Sequence, residues 1–360
     1  KNEFINRLKT GLLISLLIYS ILSILIIIYA EQMLSAMATT KEIIPESAKY
    51  VRIESIANIF GILLSFSSVA LVSLGKDKLI YILTVTKLVL CLIFDTFLVS
   101  TLPFSANLGV NGIAYSNVIV NGLLFVTVIV ILAKQGYSIL NKDKMSFTWA
   151  KEFVKIGGVS GVESFVRNIA YILMVSRMVN MVGEQGTYWV ANNFIWGWML
   201  LPITQLGELI KQETAKDENA IRNNTLGYFT ITGFVCALWV ILIPVYKPFM
   251  QYILRFNDVD KLFSLVMVLF GFYVLYAIQN VFDSTFYGRG KTNYMLFESV
   301  VTNSLYYGTF FLLYLNGIWI PTLVGIAIMF GCGNAFDTIV SGLAYRYYLK
   351  RNKLTISNPN

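Results

Sequence analysis

Residues 12–30 read LLISLLIYSILSILIIIYA, nineteen consecutive positions without a charged side chain. An α-helix needs about 20 mainly apolar residues to cross the ~30 Å hydrocarbon core of a bilayer, so this stretch predicts a transmembrane helix. The composition extends that prediction to the whole chain, because 56% of its 360 residues are hydrophobic and 13% are charged, whereas soluble domains carry about 25% charged residues. We therefore predict an all-α integral membrane protein, which excludes a water-soluble enzyme.

Apolar runs of this length recur along the chain and predict ten transmembrane helices. The connections between them are too short to form a further domain. The predicted spans are Leu12–Ala30, Tyr50–Gly75, Leu79–Leu102, Leu108–Ala133, Phe153–Gly183, Tyr188–Leu206, Leu226–Tyr246, Leu262–Tyr287, Tyr294–Tyr314 and Pro321–Tyr345.

The basic residues predict how these spans are oriented. With the N-terminus in the cytoplasm, 18 of the 28 Lys and Arg residues fall in cytoplasmic segments and five in external ones, while the other five lie within or beside spans. Cytoplasmic loops of membrane proteins carry such an excess of positive charge. The sequence therefore predicts that both termini are cytoplasmic.

Because the basic residues are scattered in short loops, no nucleic-acid-binding surface is predicted.

Several kinds of chemistry are excluded by the residues that the chain lacks. It contains no histidine, which excludes imidazole metal sites and His-based catalysis. The three cysteines, Cys91, Cys236 and Cys332, are far apart inside apolar runs and are interpreted as packing residues. No GxxxxGK[ST] nucleotide-binding segment is present. We expect no catalytic residues, no metal and no cofactor, and hence no enzyme.

Two short patterns recur at almost the same interval. Residues 75–78 read GKDK after the second span, and residues 290–293 read GKTN after the eighth; residues 112–114 and 325–327 both read GIA, and each is followed by an Asn at the same distance. These matches predict that residues 12–133 are a degenerate copy of roughly 226–345. A duplicated helical bundle is a transporter architecture. We assign residues 1–148 to an N-terminal bundle of four spans and residues 149–360 to a C-terminal bundle of six.

Five segments carry a resemblance to a known family. Residues 71–77, LVSLGKD, and 286–292, FYGRGKT, resemble the LRGxGDT turn of the MATE (multidrug and toxic compound extrusion) transporters, within the superfamily that also contains lipid-linked oligosaccharide flippases. Residues 91–95, CLIFD, are similar to the Asn-x-x-x-Asp pair of the family's fifth helix, retaining the Asp. Residues 112–117, GIAYSN, resemble its sixth-helix segment, and residues 157–165, GGVSGVESF, its seventh-helix element.

The resemblance implies a fold of twelve helices in two bundles related by a pseudo-twofold axis, of which this chain lacks the first two helices. It implies a multi-pass protein of the bacterial cytoplasmic (inner) membrane that acts as a monomer and couples transport to H⁺ or Na⁺. It also implies that the coupling residues are Asp95, Glu163 and Asn117, the last standing at the Thr position of the sixth-helix segment, and that Tyr276 occupies the position of an acid found in some sodium-coupled members.

Acidic side chains within predicted spans need an explanation, because each costs a few kcal/mol at mid-bilayer unless it faces a cavity, is paired or takes a proton. Asp95 is either a cation-binding group or a hydrogen-bond partner of a neighbouring helix. Glu163 and Arg167 share a helical face and form either a permanent structural pair or a switch in which a cation replaces the guanidinium. Asp283 and Glu298 lie near the predicted cytoplasmic turn, and we interpret them as solvated or loop-capping acids.

The sixth span carries the candidates for substrate contact. Trp196 belongs to an aromatic cluster that could stack on flat cationic compounds, although an interfacial aromatic belt gives the same pattern. Asn192 and Asn193 are amides in an apolar helix and require partners. Together with Arg167 and Tyr276, these residues are the predicted lining of a substrate cavity.

These observations favour a secondary active antiporter that exports amphipathic, often cationic small molecules in exchange for H⁺ or Na⁺ by alternating access. The alternative is a flippase for a lipid-linked oligosaccharide or another lipid. Such a flippase would need a cavity rich in Arg and Lys, and Lys87, Arg167 and Arg177 are few for that purpose. A membrane-embedded enzyme is disfavoured because the remaining acids stand singly on separate helices.

Overall fold

A computed structural model describes residues 1–139, 145–217 and 219–356, and within these residues the regular secondary structure is helical throughout. The chain divides into two compact units, Lys1–Lys151 and Glu152–Asn360. The fold is thus an all-α fold, as predicted. The assignment of functional domains at residue 148 stays a prediction.

The first unit contains four long helices and one short 3₁₀ turn, Lys41–Ile43. Pro45 stands in the first turn of the second helix, where its missing N–H would have had no partner within the helix. Buried aliphatic side chains of all four long helices form the core of this unit, with Leu83 as the contribution of the third. The helices are α1 (Asn2–Ala36), α2 (Ile44–Ser73), α3 (Asp77–Leu98) and α4 (Val110–Lys134).

The second unit contains six helical stretches, of which three are uninterrupted and three pass through a π-helical segment. The uninterrupted ones are α7 (Asn219–Tyr252), α8 (Val259–Gly288) and α10 (Leu323–Arg351). The others are α5 (Ala150–Tyr171, π-helical Ile172–Ser176, then Arg177–Met181), α6 (Gln185–Phe194, π-helical Ile195–Met199, then Leu201–Lys216) and α9 (Thr292–Val301, π-helical Thr302–Tyr307, then Gly308–Leu315).

Seven helices of the described chain are long and apolar enough to cross a membrane: α1 to α4, α7, α8 and α10. The three interrupted helices are not among them, because their continuous α-helical pieces are shorter or more polar. The protein is therefore a multi-pass membrane protein, while the count of ten spans stays a prediction. The interruptions are informative, since π-helical turns are rare in proteins as a whole but are often found at functional sites.

The two GK turns that suggested a duplication have the same backbone structure. Gly75 and Gly290 both adopt a positive φ, +70° and +62°, a conformation that glycine adopts without steric cost. In each turn the glycine N–H donates to the carbonyl three residues back, at 2.8 and 3.0 Å, and the following lysine N–H donates to the carbonyl five residues back, at 3.0 and 2.8 Å. The turns share one helix-terminating motif, which supports the interpretation that the sequence is duplicated.

A close helix contact predicts a strong effect for a small substitution. A methyl group on Gly288, at the end of α8, would stand 2.6 Å from the backbone oxygen of Lys211 in α6. Because backbone cannot move aside as a flexible side chain can, we expect Gly288→Ala to lower the free energy of unfolding by about 1–3 kcal/mol. Gly271→Ala, on the same helix, would meet nothing within 4 Å and should be neutral. Thermal unfolding of both variants in detergent tests this, and equal midpoints would contradict it.

Candidate substrate and cation site

The second unit encloses a cavity of about 510 Å³. This volume lies within the range of small-molecule binding sites, roughly 300–1,000 Å³. Side chains from α5, α6, α8, α9 and α10 line it, and they combine carboxylates, amides and aromatic rings: Arg167, Asn168, Tyr171, Trp189, Asn192, Trp196, Tyr276, Gln279, Asp283, Ser299, Thr302, Asn303, Tyr307, Phe330, Gly333, Asn334 and Asp337.

Two carboxylates in this cavity share one amide. The Gln279 Nε2 donates to Asp337 Oδ2 at 2.7 Å and to Asp283 Oδ2 at 3.2 Å. The remaining oxygens accept from hydroxyl groups, Asp337 Oδ1 from Thr302 at 2.6 Å and Asp283 Oδ1 from Ser341 at 2.8 Å. Gln279 and Asp283 lie on α8, one helical turn apart, whereas Asp337 lies on α10. The arrangement brings two carboxyl groups together at the wall of the cavity, where a proton or another cation would compensate their charge.

A third carboxyl group lies behind this pair. Glu298 on α9 is 3% exposed, and one of its carboxylate oxygens is buried with no hydrogen-bond partner among the described residues. Its charged neighbours include Asp283 and Asp337. The interpretation of Glu298 as a solvated or loop-capping acid is therefore wrong. Asp283 does not cap a loop either, because its side chain lines the cavity. Both residues are close in sequence to the predicted turn, which suggested that they are exposed to solvent. The packing of the helices instead covers both side chains.

Among the described residues, four side chains donate to or pair with Glu163 beside the cavity, one of them the neighbouring Ser164 hydroxyl at 3.2 Å. The residue is 1% exposed and accepts from the Ser299 hydroxyl at 2.9 Å and the Tyr287 hydroxyl at 3.2 Å. The Arg167 Nη1 lies 3.3 Å from its carboxylate, as the helical spacing predicts, and the arginine side chain is 53% exposed. Arg167 lines the cavity. The guanidinium thus contacts a buried carboxylate and also lines the cavity, a placement that fits either a permanent pair or a switch.

The π-helical segments lie beside the cavity. Trp196 belongs to the segment in α6, Thr302 and Tyr307 belong to the one in α9, and Tyr171 directly precedes the one in α5. A π-helical turn contains an extra residue. The side chains after it therefore point in other directions than an unbroken α-helix would give them. Each interruption therefore adjusts which side chains face the cavity. Helical periodicity alone did not indicate this adjustment.

Aromatic rings form another part of the wall. The ring centroids of Trp196 and Tyr276 are 5.2 Å apart, and the indole N–H of Trp196 donates to the Tyr273 hydroxyl at 3.2 Å. This bond fixes the orientation of the indole. Tyr171 and Trp189 form a second edge-to-face pair at 6.4 Å. Such surfaces can accept a flat cationic ring by stacking and cation–π contact.

Four of the five predicted cavity residues line this one cavity: Arg167, Tyr276, Asn192 and Trp196. Asn193 is exposed and is not part of the lining. The roles of all five in substrate contact stay predictions. The sequence did not indicate Gln279 as a bridging residue, although its position four residues before Asp283 was a usable signal, because polar residues one turn apart share a helical face.

Asp95 and Asn117 lie in the first unit. The Asn117 amide donates to both carboxylate oxygens of Glu54 on α2, at 3.2 and 3.0 Å. Within the part of the chain that the structure describes, one carboxylate oxygen of Asp95 is buried without a hydrogen-bond partner. An unpartnered carboxylate oxygen has room in its coordination for a proton or a cation. The roles of Asp95, Asn117 and Glu163 in coupling stay predictions.

Comparison with known proteins agrees with this fold. The family model MatE matches residues 2–97. An inward-facing structure of a multidrug resistance MATE family transporter of the MOP superfamily is 16% identical, with a TM-score of 0.77, and the match covers 97% of this chain and 82% of that one. An outward-facing structure of such a transporter is also 16% identical, with a TM-score of 0.71 and coverage of 97% and 79%.

A third structure with this fold is described as having a different function. It is a MOP superfamily transporter from Pyrococcus furiosus whose binding pocket is reported to have reverse polarity, suggesting a different function; it is 16% identical, with a TM-score of 0.70 and coverage of 98% and 80%. No curated protein matches the chain in sequence. The family match in the first unit and the likeness in fold over nearly the whole chain confirm the predicted resemblance to MATE transporters.

Proposed function

We propose that the protein is a secondary active multidrug efflux antiporter that exports amphipathic, often cationic compounds in exchange for H⁺ or Na⁺. One observation carries the proposal: the cavity of the second unit presents two carboxylates, Asp283 and Asp337, together with the aromatic rings of Trp196 and Tyr276. Carboxylates attract a cation, and aromatic faces bind the apolar body of an amphipathic compound. Inward-facing and outward-facing structures share this fold, which supports alternating access.

Two fluxes are coupled when the exported cation and the driving cation compete for the same negative charge. We infer that H⁺ or Na⁺ binds at the Asp283–Gln279–Asp337 group and releases the substrate, and that substrate binding displaces the driving cation. A ligand shifts a conformational equilibrium only by its differential affinity for the two states. Exchange at one charged group would therefore link the direction in which the cavity opens to the ion gradient. Glu163, with Arg167, supplies a second group at which a cation could replace a guanidinium.

The cavity favours this function over the lipid-linked oligosaccharide flippase. A pyrophosphate carries negative charge and needs several cationic donors. Among the described lining residues of the cavity, Arg167 is the single cationic one, opposed by Asp283 and Asp337. The charge of the wall therefore repels a pyrophosphate and attracts an organic cation. We further propose that the protein functions as a monomer in the bacterial cytoplasmic membrane with its C-terminus in the cytoplasm.

The test is efflux of ethidium from proteoliposomes that contain the protein, under an imposed H⁺ gradient and separately under an imposed Na⁺ gradient. Efflux that follows one gradient, and that stops when an ionophore collapses that gradient, supports the proposal and identifies the ion. Protein-free liposomes provide the control for leakage. If folded protein moves ethidium under neither gradient but moves a fluorescent lipid-linked pyrophosphate across the bilayer, the antiporter proposal is wrong.

The aromatic wall makes a separate prediction. We expect Trp196→Leu to weaken ethidium binding by roughly two- to thirtyfold, because a cation–π contact contributes about 0.5–2 kcal/mol depending on desolvation. Fluorescence titration of the purified protein measures the dissociation constant. Trp198→Leu is a matched control, since Trp198 is on the same helix, is 57% exposed and lies outside the cavity lining. Equal effects of the two substitutions would show that the indole of Trp196 does not contact the dye.

A further inference from the structure

A second concave surface lies between α9 and α10 and shares no lining residue with the cavity described above. It has a volume of about 660 Å³. Its walls are apolar, formed mainly by Phe297 and Val301 of α9 and by Val340 and Leu343 of α10. Phe297 and Leu343 are 58% and 64% exposed, so the groove is open on the outer face of this unit. We refer to it below as the α9–α10 groove.

One end of the α9–α10 groove is polar. Asn293 lies at the start of α9 and Arg351 at the end of α10, so the two residues meet at the same end of these antiparallel helices. Both side chains are exposed, and among the described residues neither has a hydrogen-bond or ion-pair partner. Tyr294 and Tyr347 line the same end. Tyrosines are enriched at the interface between membrane and water.

The length of the groove matches one leaflet of a bilayer. From Asn293 to Val301 the α9 wall rises about 12 Å, and from Val340 to Arg351 the α10 wall rises about 16 Å, at 1.5 Å per residue. The hydrocarbon core of a bilayer is about 30 Å thick, so each leaflet contributes about 15 Å. A molecule whose charged group lies at Arg351 would therefore extend its apolar part to about the bilayer midplane.

We propose that the α9–α10 groove is a binding site for one anionic phospholipid. The phosphate would lie at Arg351 with Asn293 as a further donor, and an acyl chain would lie along Phe297, Val301, Val340 and Leu343. Charge complementarity selects an anionic headgroup, because a zwitterionic lipid presents its own cation beside the phosphate. A water-soluble anion would engage Arg351 but leave the apolar wall uncovered. The positive-inside orientation predicted from the sequence places this end at the cytoplasmic leaflet, where basic residues attract anionic lipids.

Native mass spectrometry of the purified protein, delipidated and then titrated with phosphatidylglycerol, counts the bound lipid molecules and gives their affinity. We expect Arg351→Gln to weaken the tightest binding step about fivefold, the usual effect of one basic residue at a membrane surface. Arg346→Gln is the matched control, because Arg346 is exposed on the same helix but does not line the groove. Equal affinities of the two variants would overturn the proposal.

A second variant separates the headgroup from the acyl chain. Val301→Trp would fill the apolar part of the groove and leave Arg351 in place, so we expect it to weaken phosphatidylglycerol binding as well. Phosphatidylcholine serves as the zwitterionic probe and inorganic phosphate as the soluble one. Tight binding of phosphatidylcholine that Arg351→Gln does not change, or displacement of phosphatidylglycerol by millimolar inorganic phosphate, would each contradict a site for an anionic phospholipid. The measurement needs no transport activity and is independent of the proposed function.

Discussion

Replacing Asp283 with Asn is expected to reduce gradient-driven ethidium efflux at least tenfold while leaving the protein folded. The carboxylate lines the cavity, accepts from Ser341 at 2.8 Å and shares the Gln279 amide with Asp337. An asparagine of the same shape can keep one acceptor for these hydrogen bonds but carries no negative charge. The substitution therefore removes the group for which, in the proposed mechanism, substrate and driving cation compete, and it does so with little change in packing.

The measurement compares initial efflux rates in proteoliposomes, and the matched control is Asp260→Asn. Asp260 lies on the same helix, but its side chain is 86% exposed and pairs with Lys247 at 2.6 Å. An exposed pair of this kind contributes about 0–1 kcal/mol to stability, so the control should transport normally. Thermal unfolding of the Asp283→Asn protein verifies that it is folded. Normal efflux by that variant would show that Asp283 is not the coupling carboxylate.

The fold could be predicted from the sequence because its cause is local. A run such as residues 12–30 has to be helical in a bilayer, where every backbone polar group must be bonded within the segment, and this is true regardless of what surrounds the run. The helices that failed the criterion of length and apolarity are α5, α6 and α9, which carry part of the polar lining of the cavity. Their π-helical segments depend on tertiary packing, so no periodicity in the sequence indicated them.

The candidate site could be predicted only in part, for a related reason. Glu163 and Arg167 are four residues apart, and helical geometry alone places them side by side. Asp283 and Asp337 are 54 residues apart on different helices, and only the packing of α8 against α10 brings both to the Gln279 amide. The burial of Glu298 likewise depends on its neighbours rather than on its distance from a turn. Pairs within one helix were therefore visible in the sequence, whereas groups shared between helices were not.

Replacing Glu163 with Gln is expected to lower the free energy of unfolding by about 2 kcal/mol, since hydrogen bonds to a charged group contribute about 1.5–3 kcal/mol. Glu163 is 1% exposed and accepts from Ser299 and Tyr287 in addition to its contact with Arg167. Glutamine keeps the volume but loses the charge and one acceptor oxygen. The guanidinium, 53% exposed, then retains its positive charge next to a neutral amide.

A double-mutant cycle decides whether the pair is a structural element or a switch. If Arg167 stabilises the fold mainly through Glu163, the double variant Glu163→Gln/Arg167→Gln should be more stable than the sum of the two single effects predicts, by about 0.5–3 kcal/mol, the range measured for side chains in contact. The midpoints of thermal unfolding give the four values. Additive effects would mean that the ion pair contributes little to stability. A contact that a cation can replace during transport is expected to behave in this way. In that case, loss of efflux by a folded Glu163→Gln protein would assign the pair to coupling.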